Sequence, residues 1–128
     1  MRFNDLDALG HVNNTIYLEY LDYAKTQYIR EVLGDCFNFT TESLVIVNIN
    51  CSFYEISHYN EPIEVLTRID KISEHSIDVV QRVINPENGH VKVTYTAVMV
   101  GFNIAKSEKM TISDLWRARI SAYEGRKF

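Results

Sequence analysis

The chain has 128 residues, of which 46% are hydrophobic and 23% charged, with only two prolines and five glycines. This composition is that of a folded domain and excludes a disordered or linker-rich chain; the length suits one core without metal or disulfide staples, so residues 1–128 are expected to form one domain. A formal net charge of −4 offers no broad positive field for a phosphate backbone, which argues against nucleic acid as the main partner. Cys36 and Cys51 show no CxxC pairing and are expected to be unbridged thiols in a reducing compartment. No leader-like segment opens the chain and no apolar run is long enough to cross a bilayer, so a cytoplasmic protein without membrane contact is expected.

In chain order, Arg2-Phe3-Asn4 is a short β-compatible start, followed by a polar segment ending in Asn13-Asn14. From Tyr17 to Leu33 the apolar residues Tyr17, Leu18, Tyr20, Leu21, Ala24, Tyr28, Ile29 and Val32 recur at three- and four-residue steps, which predicts a helix with a wide apolar stripe. Glu19, Asp22, Lys25, Arg30 and Glu31 are assigned to the remaining, solvated face. Asn13 or Asn14 suits the N-cap, and Gly34 suits the stop. The period then changes to two: Val45, Val47, Ile49, Cys51 and Phe53 alternate with Ile46, Asn48, Asn50 and Ser52, predicting a strand with the first set on the core. Residues 63–72, 76–84 and 91–102 are further strands, and the turns Ser73-Glu74-His75 and Pro86-Glu87-Asn88-Gly89 make them an antiparallel meander. Ser113 to Tyr123, capped by Ser113 or Thr111, is a short charged helix, leaving the long helix as the expected cover of the sheet. The order is α+β.

The chemistry concentrates ahead of the long helix, where Asp5, Asp7, Gly10, His11, Asn13 and Asn14 fall together. The first backbone N–H groups of a helix lack intrahelical partners and the dipole there favours negative charge, so the site can stabilise an oxyanion. A carboxylate on the entering loop can activate water or attack a carbonyl directly. Plain capping accounts for the same residue types, because Asp and Asn crowd helix starts generally.

The string Asp5-x-Asp7-x-x-Gly10-His11-Val12-Asn13-Asn14-x-x-Tyr17 resembles the signature of the 4-hydroxybenzoyl-CoA thioesterase family, particularly its bacterial acyl-CoA thioesterases with a GHVNN sequence. The element order and the closing segment Leu115 to Gly125 are similar as well. The resemblance implies a hot-dog fold, an antiparallel sheet wrapped around one long central helix, and hydrolysis of acyl-CoA to free acid and CoA. It implies Asp7 as the catalytic carboxylate and Asn14 as the residue whose backbone N–H polarises the thioester carbonyl. Gly10, His11, Asn13 and Tyr17 are implied as substrate-binding positions, with Asp5 structural and His11 open between loop bonding and a role beside Asp7. No cofactor and no metal are implied; His58, His75 and His90 lack ligand spacing. Arg68, Lys71, Arg82 and Lys92 are surface candidates for CoA phosphates, against ordinary solvated charges. A homodimer or homotetramer is implied, with the site at the subunit boundary. Relatives carry several residues before the motif, whereas Met1 stands almost on it; either the sequence begins late or its first strand is a stub. Two other readings stay open: an acyl-carrier-protein thioesterase and a non-catalytic acyl-thioester binding protein.

Overall fold

The computed structural model describes residues 14–34, 36–38, 40–55, 57–58 and 60–128. The elements are helix α1 (Asn14–Leu33), strands β1 (Glu42–Phe53), β2 (Glu64–Ile72), β3 (Ser76–Ile84) and β4 (Val91–Asn103), the two-residue β5 (Glu108–Lys109) and helix α2 (Asp114–Glu124). The expected strand at residues 2–4 lies outside the described residues.

In α1 the buried positions Tyr17, Leu21, Lys25, Tyr28 and Val32 follow three- and four-residue steps and form one stripe. The helix ends at Gly34, where a Cβ would run into the Arg30 carbonyl oxygen, so a side chain there is excluded on contact alone. The sheet is antiparallel in the order β1-β4-β3-β2, with β5 pairing the end of β4. The predicted meander therefore holds for β2, β3 and β4, while β1 crosses past β2 and β3 to pair with β4 at the far edge. The result is an antiparallel sheet with one long helix on its inner face, the hot-dog layout.

α1 lies over β2 and β3. The inner face carries Ile77, Val79 and Val83 of β3 and Val93, Tyr95, Ala97 and Met99 of β4, all buried. They belong to two apolar clusters, one around Tyr17, Leu21, Val83 and Val93, the other around Tyr28, Leu33, Val79, Met99 and Trp116. β1 departs from the alternation expected of it. Its register slips between Ile46 and Asn48, so Ile46 opposes Met99 while Ile49, Cys51 and Phe53 oppose Ala97, Tyr95 and Val93. Cross-strand partners share a face, so this bulge moves Val45 off the core face and Ile46 onto it. Ile49 and Phe53 nonetheless remain 50% and 40% exposed.

The charged C-terminal segment contributes more to the core than its composition suggests. The Ser113 hydroxyl accepts from the Trp116 N–H at 3.1 Å and caps α2, and Gly125, with φ of 70°, closes it. Trp116 and Ile120 are each 1% exposed. The Trp116 ring stacks on Phe37 at 4.8 Å, and its Nε1 donates to the Cys36 carbonyl at 3.1 Å. The Tyr28 hydroxyl donates to Glu124 at 2.9 Å, tying α1 to α2. Trp116→Ala is expected to lower the unfolding free energy by about 3–5 kcal/mol, read from urea denaturation, because the truncated site cannot fully collapse.

Candidate active site

Asn14, the first residue described in α1, is exposed and follows the Asp7–Asn13 segment directly in sequence. Asp5, Asp7, Gly10, His11 and Asn13 lie outside the described residues. Tyr17, one turn into α1, is 1% exposed and its hydroxyl donates to Ser57, which is fully buried. The Phe53 ring stands 6.2 Å from the Tyr17 ring. Burial pushes the Tyr17 phenol above its ordinary pKa, against the opposing Ser57 bond and Lys92 charge. Tyr17 therefore anchors the first turn to the 54–63 connection, whatever else it touches.

That connection is itself pinned by a charge network. Lys92, 2% exposed, lies 2.6 Å from Glu61 and 3.8 Å from Glu55. Glu61 also accepts from the His58 N–H at 2.9 Å and from the Asn85 amide at 3.1 Å. Burial alone would raise the Glu61 pKa, but bonds from Lys92, His58 and Asn85 outweigh it and hold the carboxyl below its ordinary value. Lys92 is thus not the surface cation expected from the sequence; its ammonium stabilises the connection beside Tyr17. Of the other sheet cations, Arg68, Lys71 and Arg82 are exposed, and Arg68 stands 3.8 Å from Asp70. Asn48 and Asn50 are exposed on β1.

A second polar group lies further along α1, inside the core. Lys25, placed by its charge on the solvated face, is 4% exposed and falls in the buried stripe. Its Nζ donates to the Tyr95 hydroxyl at 2.8 Å and stands 4.7 Å from the centre of that ring. Burial pushes the lysine pKa down, opposed by the charge of Asp22. Beside Tyr95, Gln81 is fully buried; its Nε2 donates to the Leu21 carbonyl at 2.9 Å and to the Thr67 hydroxyl at 3.0 Å. Ser57, Glu61, Lys25 and Gln81 escaped sequence reasoning. Only Lys25 carries a local signal, since it stands four residues from Leu21 on the apolar stripe.

His75 Nδ1 lies 3.3 Å from the Met110 carbonyl and His90 lies 3.5 Å from Glu55. Among the described residues no group of three His, Cys, Asp or Glu is arranged to hold a metal ion, and no helix is long and apolar enough to cross a membrane.

Residues 1–120 match the sequence profile of the thioesterase-like superfamily. The chain belongs to this superfamily. Its fold is shared by solved thioesterases. A Thermus thermophilus thioesterase complexed with coenzyme A and zinc is 25% identical, with a TM-score of 0.84 over 100% of this chain and 92% of that one. A 1,4-dihydroxy-2-naphthoyl-CoA thioesterase from Synechocystis is 16% identical, with a TM-score of 0.82 over 97% and 93%. A thioesterase superfamily protein from Jannaschia is 22% identical, with a TM-score of 0.85 over 98% and 80%. No curated protein matches the chain significantly by sequence. Membership of a thioesterase superfamily together with this hot-dog fold supports thioester hydrolysis as the general chemistry.

Two outcomes follow from the network around this superfamily member's α1. The folded-state pKa of Glu61 lies below its unfolded value, so its stabilisation is complete above the ordinary carboxylate pKa of 4.5 and is lost as pH falls through the folded value. The urea midpoint should therefore fall less between pH 7 and pH 3 in Glu61→Gln than in wild type. Tyr17→Phe leaves the buried Ser57 hydroxyl without its donor and should cost about 1–3 kcal/mol in the same assay.

Proposed function

We propose that the protein is an acyl-CoA thioesterase of the 4-hydroxybenzoyl-CoA thioesterase-like type, acting as one domain over residues 1–128. The observation that carries this reading is the string Asp5-x-Asp7-x-x-Gly10-His11-Val12-Asn13 standing directly ahead of α1 (Asn14–Leu33) in a chain of the thioesterase-like superfamily. In this mechanism the thioester carbonyl oxygen accepts from the backbone N–H of Asn14, where the helix dipole and unpaired donors favour developing negative charge. The Asp7 carboxylate either takes a proton from the attacking water, or attacks the carbonyl carbon itself to give an acyl-aspartyl anhydride that water then hydrolyses; in both cases the coenzyme A thiolate leaves. Gly10, His11, Asn13 and Tyr17 shape the substrate side of the loop, Gly10 by permitting a sharp turn and close backbone approach. No metal or other cofactor takes part in the proposal.

Coenzyme A is favoured as the thiol over an acyl carrier protein by the Thermus thermophilus relative, which is complexed with coenzyme A. The net charge of −4 also disfavours docking of an acidic carrier. A homodimer, or a tetramer built from two, is favoured by β1: among the described strands it is an edge strand, of twelve residues, with Val47, Ile49, Phe53 and neighbouring Tyr54 exposed, which in a monomer would template unwanted pairing. A reducing cytoplasm is favoured by Cys36 and Cys51, which are not joined in a disulfide.

Thiol release from short, medium, long and aromatic acyl-CoAs, detected colorimetrically, tests the reading. Wild type should turn over at least one class, and Asp7→Asn should lower kcat by about 100-fold or more while the far-UV spectrum and thermal midpoint stay close to wild type. A fully active Asp7→Asn protein removes that carboxylate from the mechanism; saturable acyl-CoA binding without turnover assigns a binding role instead. Light scattering should give a multiple of the single-chain mass, and Ile49→Lys should shift it toward one chain.

A further inference from the structure

Segments distant in sequence meet at the Glu61 carboxylate. Its own connection supplies the His58 N–H at 2.9 Å, the residue after β3 supplies the Asn85 amide at 3.1 Å, and β4 supplies the Lys92 ammonium at 2.6 Å. The Glu61 N–H in turn donates to the His58 carbonyl at 3.1 Å, so backbone and side chain of one residue close the same turn. Within it Asn60 takes the left-handed backbone, with φ of 64°. Asn85 is itself held in place: its Oδ1 accepts from the Glu87 N–H at 2.9 Å and its carbonyl from the Gly89 N–H at 2.8 Å. Lys92 grips the connection at both ends, because its carbonyl also accepts from the Tyr54 N–H at 2.8 Å. Fixed in this way, the connection presents the buried Ser57 hydroxyl to Tyr17.

Stability alone does not call for this arrangement. Taking an ammonium out of water is costly, and apolar side chains of similar volume commonly hold a structure as well or better. What charged, directional bonds add is a single geometry. Tyr17 stands three residues after Asn14, and a helical side chain leans back over the turn that precedes it. Its bond to Ser57 therefore fixes the stretch of helix whose N–H groups, in the acyl-CoA reading, face the thioester carbonyl.

We propose, resting on that reading, that Lys92 and Glu61 are positioning residues for the hydrolysis: their ion pair sets where Ser57 holds Tyr17, and so where the first turn of α1 stands relative to the reacting carbonyl. Neither side chain touches substrate in this scheme. The charge on the carbonyl oxygen grows as the carbon is attacked, so a displaced helix end weakens the transition state more than the bound thioester. The effect of losing the pair falls on kcat.

The test uses the acyl-CoA that wild type turns over fastest, with kcat and KM from thiol release below the thermal midpoint of every variant. Lys92→Met should lower kcat by about 10- to 100-fold while KM stays within about threefold of wild type. Lys92→Arg, which keeps the charge, should restore most of kcat. Combining Lys92→Met with Glu61→Gln removes the carboxylate left without its partner, and should recover most of the thermal midpoint without recovering kcat. If Lys92→Met does not fold, Glu61→Gln alone carries the comparison of kcat with KM. A kcat that returns together with the midpoint shows that the pair only stabilises the fold and overturns the proposal. An unchanged kcat in the folded variants, or a loss confined to KM, overturns it as well while leaving the acyl-CoA reading intact. A wild type without turnover on any acyl-CoA overturns that reading, and the positioning role with it.

Discussion

The structure depends on one packing constraint: α1 must bury a single stripe of side chains, and it does so over β2 and β3. The stripe of Tyr17, Leu21, Lys25, Tyr28 and Val32 settles over β2 and β3, with β4 supplying the next row of contacts. Everything on the β1 side follows from that offset. On the inner face of β1 Ile49 and Phe53 are exposed, and among the described strands β1 stands at the edge of the sheet.

The same packing explains why the core is not uniformly apolar. Lys25 lies on the buried stripe, so its charge must be accommodated between helix and sheet; the Tyr95 hydroxyl and ring do this on one side. Gln81 fixes the helix to the sheet by bonding the Leu21 carbonyl, using one end of its amide and leaving the other unmatched. Burying polar groups in this way costs stability relative to hydrocarbon of equal volume. The larger cluster compensates through α2, whose Trp116 and Ile120 close the end of the core that α1 alone would leave open.

At the other end of α1 the chain spends its polar residues on position. Tyr17 and Ser57 join the first helical turn to the 54–63 connection, and Lys92, Glu61 and Asn85 hold that connection against β4. In the proposed mechanism a carbonyl is polarised only if ligand and donors keep a fixed geometry, which is what this anchoring would serve. The hot-dog fold hosts many activities, and the choice among them lies in the residues of the site rather than in the fold.

By itself the sequence determined the order of the long described elements, the α+β class, an α2 cap at Ser113 or Thr111, of which the structure uses Ser113, and a motif ahead of the long helix whose likeness to a thioesterase family agrees with membership of the superfamily. These are local properties: period, capping and turn chemistry act over a few residues. Only the tertiary structure decided that β1 pairs with β4, that a bulge at residues 46–48 exchanges Val45 for Ile46 on the inner face, that Trp116 belongs to the core, and that Lys25 and Lys92 are buried. Each of these turns on a partner distant in sequence: Met99 for Ile46, Phe37 for Trp116, Tyr95 for Lys25, Glu61 for Lys92. A lysine looks solvated in any local window; whether its ammonium reaches water is settled by which strand the helix lies across.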